Sequence, residues 1–347
     1  MTLEEALQNA RNSLTADRLD MSFGELMNMY QADELVIDPA FQRYFRWDQY
    51  QRTRFIESLL LGIPIPSIFV AEDDHGRWEI VDGLQRISTM LSFFGSLKGD
   101  SASENNWKMC EGDLIPELND LRRQDLPLKF QLNLKRSAVR IEVIKWDSNY
   151  DMRYELFNRL NTGGAPLTDQ EIRNCIFRGT GNELSEELRE LSSNPILLKL
   201  VRPTERQRSQ LYLDELVLRF YALLWDVAPN KNLGEHLTEY MRAASRDHSL
   251  YAGNKKRFVK TLKVLDSIDD ERVFDGKNHA FSPSKYDGIM IGLAKNLAAL
   301  RKKPEEVRKR IDALVDDPEF MNATGVASNY KRRVQIRVER ASVIFAT

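Results

Sequence analysis

The chain predicts an α+β amino-terminal domain followed by an all-helical carboxy-terminal domain, on three observations. Strand-like segments are confined to the first half. Apolar residues spaced three and four apart dominate after about residue 183. The length of 347 residues, at roughly 150 residues per domain, calls for about two domains. The expected division is residues 1–182 and 183–347, with a small mixed sheet in the first part.

Residues 3–15 and 23–31 carry helical spacing, and Ser22 is placed to cap the second of these helices. ELVIDPAFQRYFRW then mixes β-branched and aromatic residues around Pro39, as an extended segment would. Over 48–61 the apolar residues Phe55, Ile56, Leu59 and Leu60 share a helical face, and Gly62 marks the stop. Two apolar runs joined by Asp73-Asp74-His75-Gly76 predict a hairpin of strands 67–72 and 77–81, with a helix starting soon after Gly83.

Residues 98–112 read as a polar insertion, 137–146 as a further strand and YDMRYELFNRL as a helix. NTGGAP breaks that helix, and the next opens at Thr168 with Glu171 three residues on, a capping box. Helices are then predicted around 183–192, 209–226, 233–247, 255–268, 284–300, 304–315 and 327–345.

Composition narrows the function. Lys plus Arg number 50 against 52 Asp plus Glu, so a polyanion must meet a local patch, not a basic coat. Mean hydropathy of −0.46 and the lack of a long apolar run argue against a membrane span, and no secretory signal is read at the amino terminus; the expected location is the cytoplasm. Two cysteines, Cys110 and Cys175, and four dispersed histidines supply neither a disulfide framework nor zinc-site spacing.

Three segments carry the ingredients of anion recognition. Gln42 and Arg43 stand with Arg46 and Trp47 in the extended segment, where guanidinium and aromatic groups suit a phosphate and a base; a basic surface loop explains them equally. Asp82-Gly83-Leu84-Gln85-Arg86 spans a strand-to-helix junction, where helix-start amides favour an anion and Asp82 suits a hydrated Mg²⁺; a capped turn is the plain alternative. Asn161, Gly163 and Gly164 follow a helix, as in either a backbone anion nest or a glycine cap. Neither a Walker A motif nor G-x-G-x-x-G occurs.

Taken in order, P-x-F-Q-R-x-x-R-W, L-G-I-P-I-P, V-D-G-L-Q-R and F-N-R-L-N-T-G-G-A-P-L-T resemble the amino-terminal domain family of GmrSD-type restriction endonucleases, over about residues 20–180. The resemblance implies a ParB/sulfiredoxin-like fold and a nucleoside triphosphate bound, and hydrolysed, with Mg²⁺ in bacterial defence. By position, Asp82, Gly83, Gln85 and Arg86 fill the family's D-G-Q-Q-R signature, Gln42 and Arg43 the upstream pair, and Asn161, Gly163 and Gly164 the downstream loop. Asp82, Gln85 and Arg86 are the expected catalytic residues and Asp82 the expected metal ligand. Leu84 stands where the family usually has Gln, which puts water positioning in doubt.

Larger relatives carry an H-N-H nuclease domain, whereas His236, His248 and His279 show no such motif. The implied partners are therefore DNA and a separate nuclease or defence chain, with self-association left open. Residues 326–347 hold five Lys or Arg against one Glu, and Arg333, Arg337 and Arg340 are spaced for one helical face suited to DNA phosphates. An apolar face of Val334, Val338, Ala341 and Phe345 is expected to pack inward. Lys199, Arg202, Arg206 and Arg208 form a second, linker-like basic stretch. Two other readings compete: a DNA-binding or adaptor module with a degenerate nucleotide pocket, and a nuclease using Asp73, Asp74, Glu79 and Asp82 with Mg²⁺.

Overall fold

The structure is a computed structural model that describes residues 2–4, 16–37, 47–73, 75–145, 168–177, 182–226, 229–276 and 279–346. The chain divides into two compact units, residues 1–167 and 168–347. The first holds β1 (Ala16–Ser22), α1 (Phe23–Gln31), β2 (Leu35–Val36), α2 (Gln49–Leu61), β3 (Ile68–Glu72), β4 (Trp78–Asp82), α3 (Leu84–Phe93), α4 (Leu128–Arg136) and β5 (Ala138–Ile144). The predicted helix over 3–15, the rest of the extended segment after Ile37, and the helix before NTGGAP fall outside the described residues apart from a few.

The strands form one mixed sheet in the order β1-β5-β3-β4-β2. β1 pairs antiparallel with β5, β5 parallel with β3, β3 antiparallel with β4, and β4 parallel with β2. Parallel pairing of β3 and β5 requires a crossover, which α3 and α4 provide. Ile68 lies opposite Ile141 and Val70 opposite Val143; all four are buried with Ile87, Met90 and Leu91 of α3. Each such side chain contributes about 1.5–3 kcal/mol on full burial.

Local chemistry accounts for the element ends. Ser22 accepts the Glu25 N–H at 3.1 Å, and Asp48 and Gln51 form a reciprocal capping box on α2, each cap worth about 1 kcal/mol. Gly62 ends α2 in the left-handed conformation at φ 73°. The polar insertion and the residues just after it are tied to α2: Thr53 Oγ1 accepts the N–H of Cys110 at 3.0 Å, and buried Glu57 accepts those of Leu114 and Ile115 at 2.8 and 2.7 Å.

The second unit contains α5 (Asp169–Phe177), α6 (Asn182–Ser192), α7 (Pro195–Val201), α8 (Glu205–Ser209), α9 (Tyr212–Trp225), α10 (Leu233–Ala244), α11 (Asn254–Asp266), α12 (Pro283–Lys295), α13 (Leu297–Leu300), α14 (Pro304–Asp316), α15 (Pro318–Ala323) and α16 (Lys331–Ala346). Its boundary precedes the expected one because α5 packs on α6, α9 and α10. The predicted capping box opens α5: Thr168 N–H donates to Glu171 at 2.6 Å and Glu171 N–H to Thr168 Oγ1 at 3.3 Å. The helix expected over 284–300 divides at Asn296, whose side-chain amide donates to the Gly292 carbonyl at 3.0 Å.

An alternating chain of charges runs through this unit. Arg173 reaches Glu215 at 3.3 Å, Arg219 meets Glu215 at 3.5 Å and Asp287 at 2.9 Å, and Arg337 closes on Asp287 at 2.6 Å. It links α5, α9, α12 and α16. Gly292 lets α12 and α16 approach, because a Cβ there would lie 2.7 Å from Phe345 and 2.9 Å from the Ala341 carbonyl oxygen.

Candidate functional site

The strand-to-helix junction expected at 82–86 is present, with β4 ending at Asp82 and α3 beginning at Leu84. The β3–β4 register shifts between Phe69 and Val70, so the ladder is irregular beside the junction. Gly83 joins the two elements at φ 99°, a conformation costly for a residue with a Cβ. Space demands glycine as well: a Cβ would sit 2.7 Å from Ile68 Cγ1. No side chain caps the amino terminus of α3.

Arg86 turns inward. Its Nη2 donates to Asp82 Oδ2 at 2.9 Å, and its Nη1 to the carbonyls of Pro66 and, at 3.2 Å, Ser67. Burial pulls the guanidinium below its ordinary pKa, opposed by the Asp82 carboxylate. Asp82 itself is partly open, its side chain 37% exposed. Thus Arg86 ties the amino-terminal turn of α3 to the entry of β3 and orients the one carboxylate at the junction.

Gln85 faces another way. Its Oε1 accepts the backbone N–H of Trp47 at 3.1 Å, and Trp47 packs its ring on Phe55 at 5.6 Å. The described end of the segment containing Gln42 and Arg43 is therefore fixed to the first turn of α3. Gln42, Arg43, Asn161, Gly163 and Gly164 lie outside the described residues. Leu84, the departure from the family signature, packs half-buried against the core.

Two parts of the arrangement were not legible in the motifs. The Pro66 and Ser67 carbonyls serve as acceptors for Arg86, though L-G-I-P-I-P gave only the position of that turn. Ile68 sets the steric demand for Gly83, a contact with no local sequence signal.

The other candidate sites separate. Asp73 is engaged by Arg77 and by the His75 and Arg77 amides, Asp74 is outside the described residues, and among the described residues no group of three His, Cys, Asp or Glu could hold a metal. The expected arginine row of α16 is corrected. Arg337 is fully buried on Asp287, Arg340 is paired with Asp317, and Arg333 donates to the Asn322 carbonyl at 2.9 Å. Burial of Val334, Val338, Ala341 and Phe345 turns Arg337, next to Val338, inward with them. In the other basic stretch, Lys199 and Arg202 pair with Asp266 and Asp275.

The first unit is thus an α+β domain with a strand-glycine-helix junction at the end of a mixed sheet. Residues 23–178 match the family model of the GmrSD restriction endonuclease N-terminal domain, and over this stretch the chain is similar to that domain. Comparison with curated proteins and with solved structures found no match. Among the described residues no helix is long and apolar enough to cross a membrane.

Proposed function

We propose that the chain is a nucleotide-responsive restriction or defence protein that acts with DNA, and that its first unit binds a nucleoside triphosphate with Mg²⁺ at the Asp82–Arg86 junction. The observation that carries this reading is the Trp47–Gln85 hydrogen bond at 3.1 Å. It fixes Trp47, at the described end of the segment that carries Gln42 and Arg43 in sequence, to the helix start. Arg43 is four residues from Trp47, a span of at most about 14 Å.

The amino terminus of α3, without a side-chain cap, favours a phosphate through its amides and dipole. Asp82 is the residue that would hold a hydrated Mg²⁺, which needs only one or two protein carboxylates; when bound, the ion neutralises phosphate charge. Arg86 positions Asp82 and Gln85 holds Trp47; Arg43, Asn161, Gly163 and Gly164 are the residues that the resemblance assigns to the phosphate. Chemistry in such a site is positioning and charge neutralisation.

Calorimetric titration with a non-hydrolysable triphosphate and Mg²⁺ tests the pocket. Saturable binding is expected, weakened at least tenfold by Asp82→Ala; no heat with any of the four common triphosphates overturns the reading. The second reading, a pocket that binds without turnover, is favoured by the inward engagement of Arg86 and the packing of Leu84. Binding without phosphate release selects it.

A further inference from the structure

Helix α11 has two sharply different faces. Phe258, Thr261, Leu262, Val264 and Leu265 are buried, whereas Lys256, Arg257, Lys260 and Lys263 are exposed. At about 100° per residue the three lysines fall within about 60° of arc, with Arg257 at the edge. Neighbouring cations are engaged by carboxylates: Lys255 with Glu190 at the start of the helix and Lys199 with Asp266 at its end. Among the described residues, none of the four exposed cations is in an ion pair.

We propose that this face of α11 is the surface that contacts the sugar-phosphate backbone of duplex DNA. The inference rests on the reading of the chain as a protein that acts with DNA, and places that contact on α11, away from the expected α16. From Lys256 to Lys263 the helix rises about 10 Å, which matches about three phosphates of one strand at 3.4 Å of axis each. Lysine heads on flexible stems suit such sequence-independent contacts. Asp269, Asp270 and Glu271, all exposed beyond the end of α11, bound the patch and direct the duplex toward the amino-terminal part of the helix.

An anionic membrane is the rival occupant of a basic helix. Interfacial helices insert their apolar face among the acyl chains, but that face of α11 is already in the core, and α11 exposes no large apolar side chain.

The test uses the full chain and a fluorescent duplex of about 25 base pairs, with affinity measured between about 50 and 200 mM salt. The wild-type protein should show a slope of log K against log salt near −3 to −4, at about −0.9 per phosphate neutralised. The triple substitution Lys256→Ala, Lys260→Ala, Lys263→Ala should make that slope shallower by about 2–3 and weaken binding at least about 30-fold at 100 mM salt. Its melting temperature should stay within about 2 °C of wild type, since the changes are at exposed positions, and the corresponding triple Lys→Arg variant should retain binding. The inference is overturned by an unchanged slope in the triple alanine variant, by no duplex binding at 50 mM salt, or by capture on phosphatidylserine vesicles in preference to the duplex. The two proposals fail distinguishably: no duplex binding by the wild-type protein removes the DNA reading itself, wild-type binding with an unchanged slope in the triple alanine variant removes α11 alone, and nucleotide titration reports on the junction.

Discussion

The backbone N–H of Trp47 and the side-chain oxygen of Gln85 are 3.1 Å apart, a hydrogen bond across 38 residues of sequence. Replacing Gln85 with Ala leaves the Trp47 donor without this acceptor in a half-buried place, at a cost of about 1–2 kcal/mol. The expected melting temperature falls by about 2–6 °C. If the bond organises the nucleotide pocket, Gln85→Ala also lowers triphosphate affinity at least tenfold in protein that remains folded. Equal affinity in the variant and the wild type would remove Gln85 from the site.

Gly83 combines a left-handed backbone with a steric limit, so Gly83→Ala meets two penalties. Backbone strain adds about 1–2 kcal/mol, and a Cβ 2.7 Å from Ile68 Cγ1 adds about 1–3 kcal/mol of overpacking. Denaturant unfolding should show a loss of about 2–5 kcal/mol. Because the second penalty depends on Ile68, the double variant with Ile68→Ala should lose less than the sum of the two single losses. Strict additivity would show that strain alone sets the requirement for glycine.

Asp287 is buried between two arginines, accepting from Arg219 through both oxygens and from Arg337 at 2.6 Å. Asp287→Ala leaves the buried Arg337 without a carboxylate and Arg219 with only the longer Glu215 contact, and should cost about 3–5 kcal/mol. Arg337→Met removes one cation yet leaves Asp287 with Arg219, so a smaller loss is expected. Under conditions where it is folded, Arg337→Met should bind duplex DNA as wild type does, because its guanidinium is not at the surface. A specific loss of DNA affinity would restore the phosphate role expected for Arg337.

That arginine shows why some features were legible and others were not. Spacings of four and three place Arg333, Arg337 and Arg340 on adjoining arcs of a helix, but they do not say which arc faces the core. The answer lies in Asp287, 50 residues away. Ser22, Gly62 and Thr168 mark their helix ends through bonds to near neighbours, and those ends were readable; Asp48, read as the first helical residue, is the cap one position before Gln49. β1 was not, because ADRLDMS lacks an alternating apolar face and is exposed over five of its seven residues; its pairing with β5 defines it. α4 was hidden for the opposite reason: Leu128, Phe130, Leu132 and Leu134 alternate like a strand, yet only Leu134 is buried in the helix they form. At the candidate site, the Asp82-Gly83-Leu84-Gln85-Arg86 junction was readable from local order, while the inward turn of Arg86 depends on carbonyls from the preceding loop.

Asp317 supplies a test in acid. The hydrogen bond from Arg340 holds its carboxyl below the ordinary carboxylate value, against the opposing effect of burial and with help from the Phe320 amide. A depressed native pKa means that the unfolded chain takes up its proton first as pH falls. This contribution to stability is present above about pH 4, the ordinary carboxylate value, and is lost as pH falls through the native value. Arg340→Ala should therefore reduce stability at neutral pH and flatten its dependence on pH below about 4. An unchanged acid limb, measured by chemical unfolding from pH 2 to 7, would show that the Phe320 and Glu319 amides hold the carboxylate without Arg340.

Leu84 occupies the signature position at which glutamine was expected, and its side chain packs half-buried against the core. Restoring the amide by Leu84→Gln would put a polar group into that packing. A loss of about 1–2 kcal/mol is expected from partial apolar burial and an imperfectly satisfied amide. The side chain of residue 84 is directed at the core, whereas Gln85 reaches Trp47 and Asp82 is partly open, so the new amide is poorly placed to orient an attacking water. Phosphate release should stay at the wild-type rate while the melting temperature falls. A rise of tenfold or more would show instead that position 84 reaches the reacting phosphate and that leucine restrains turnover in this chain.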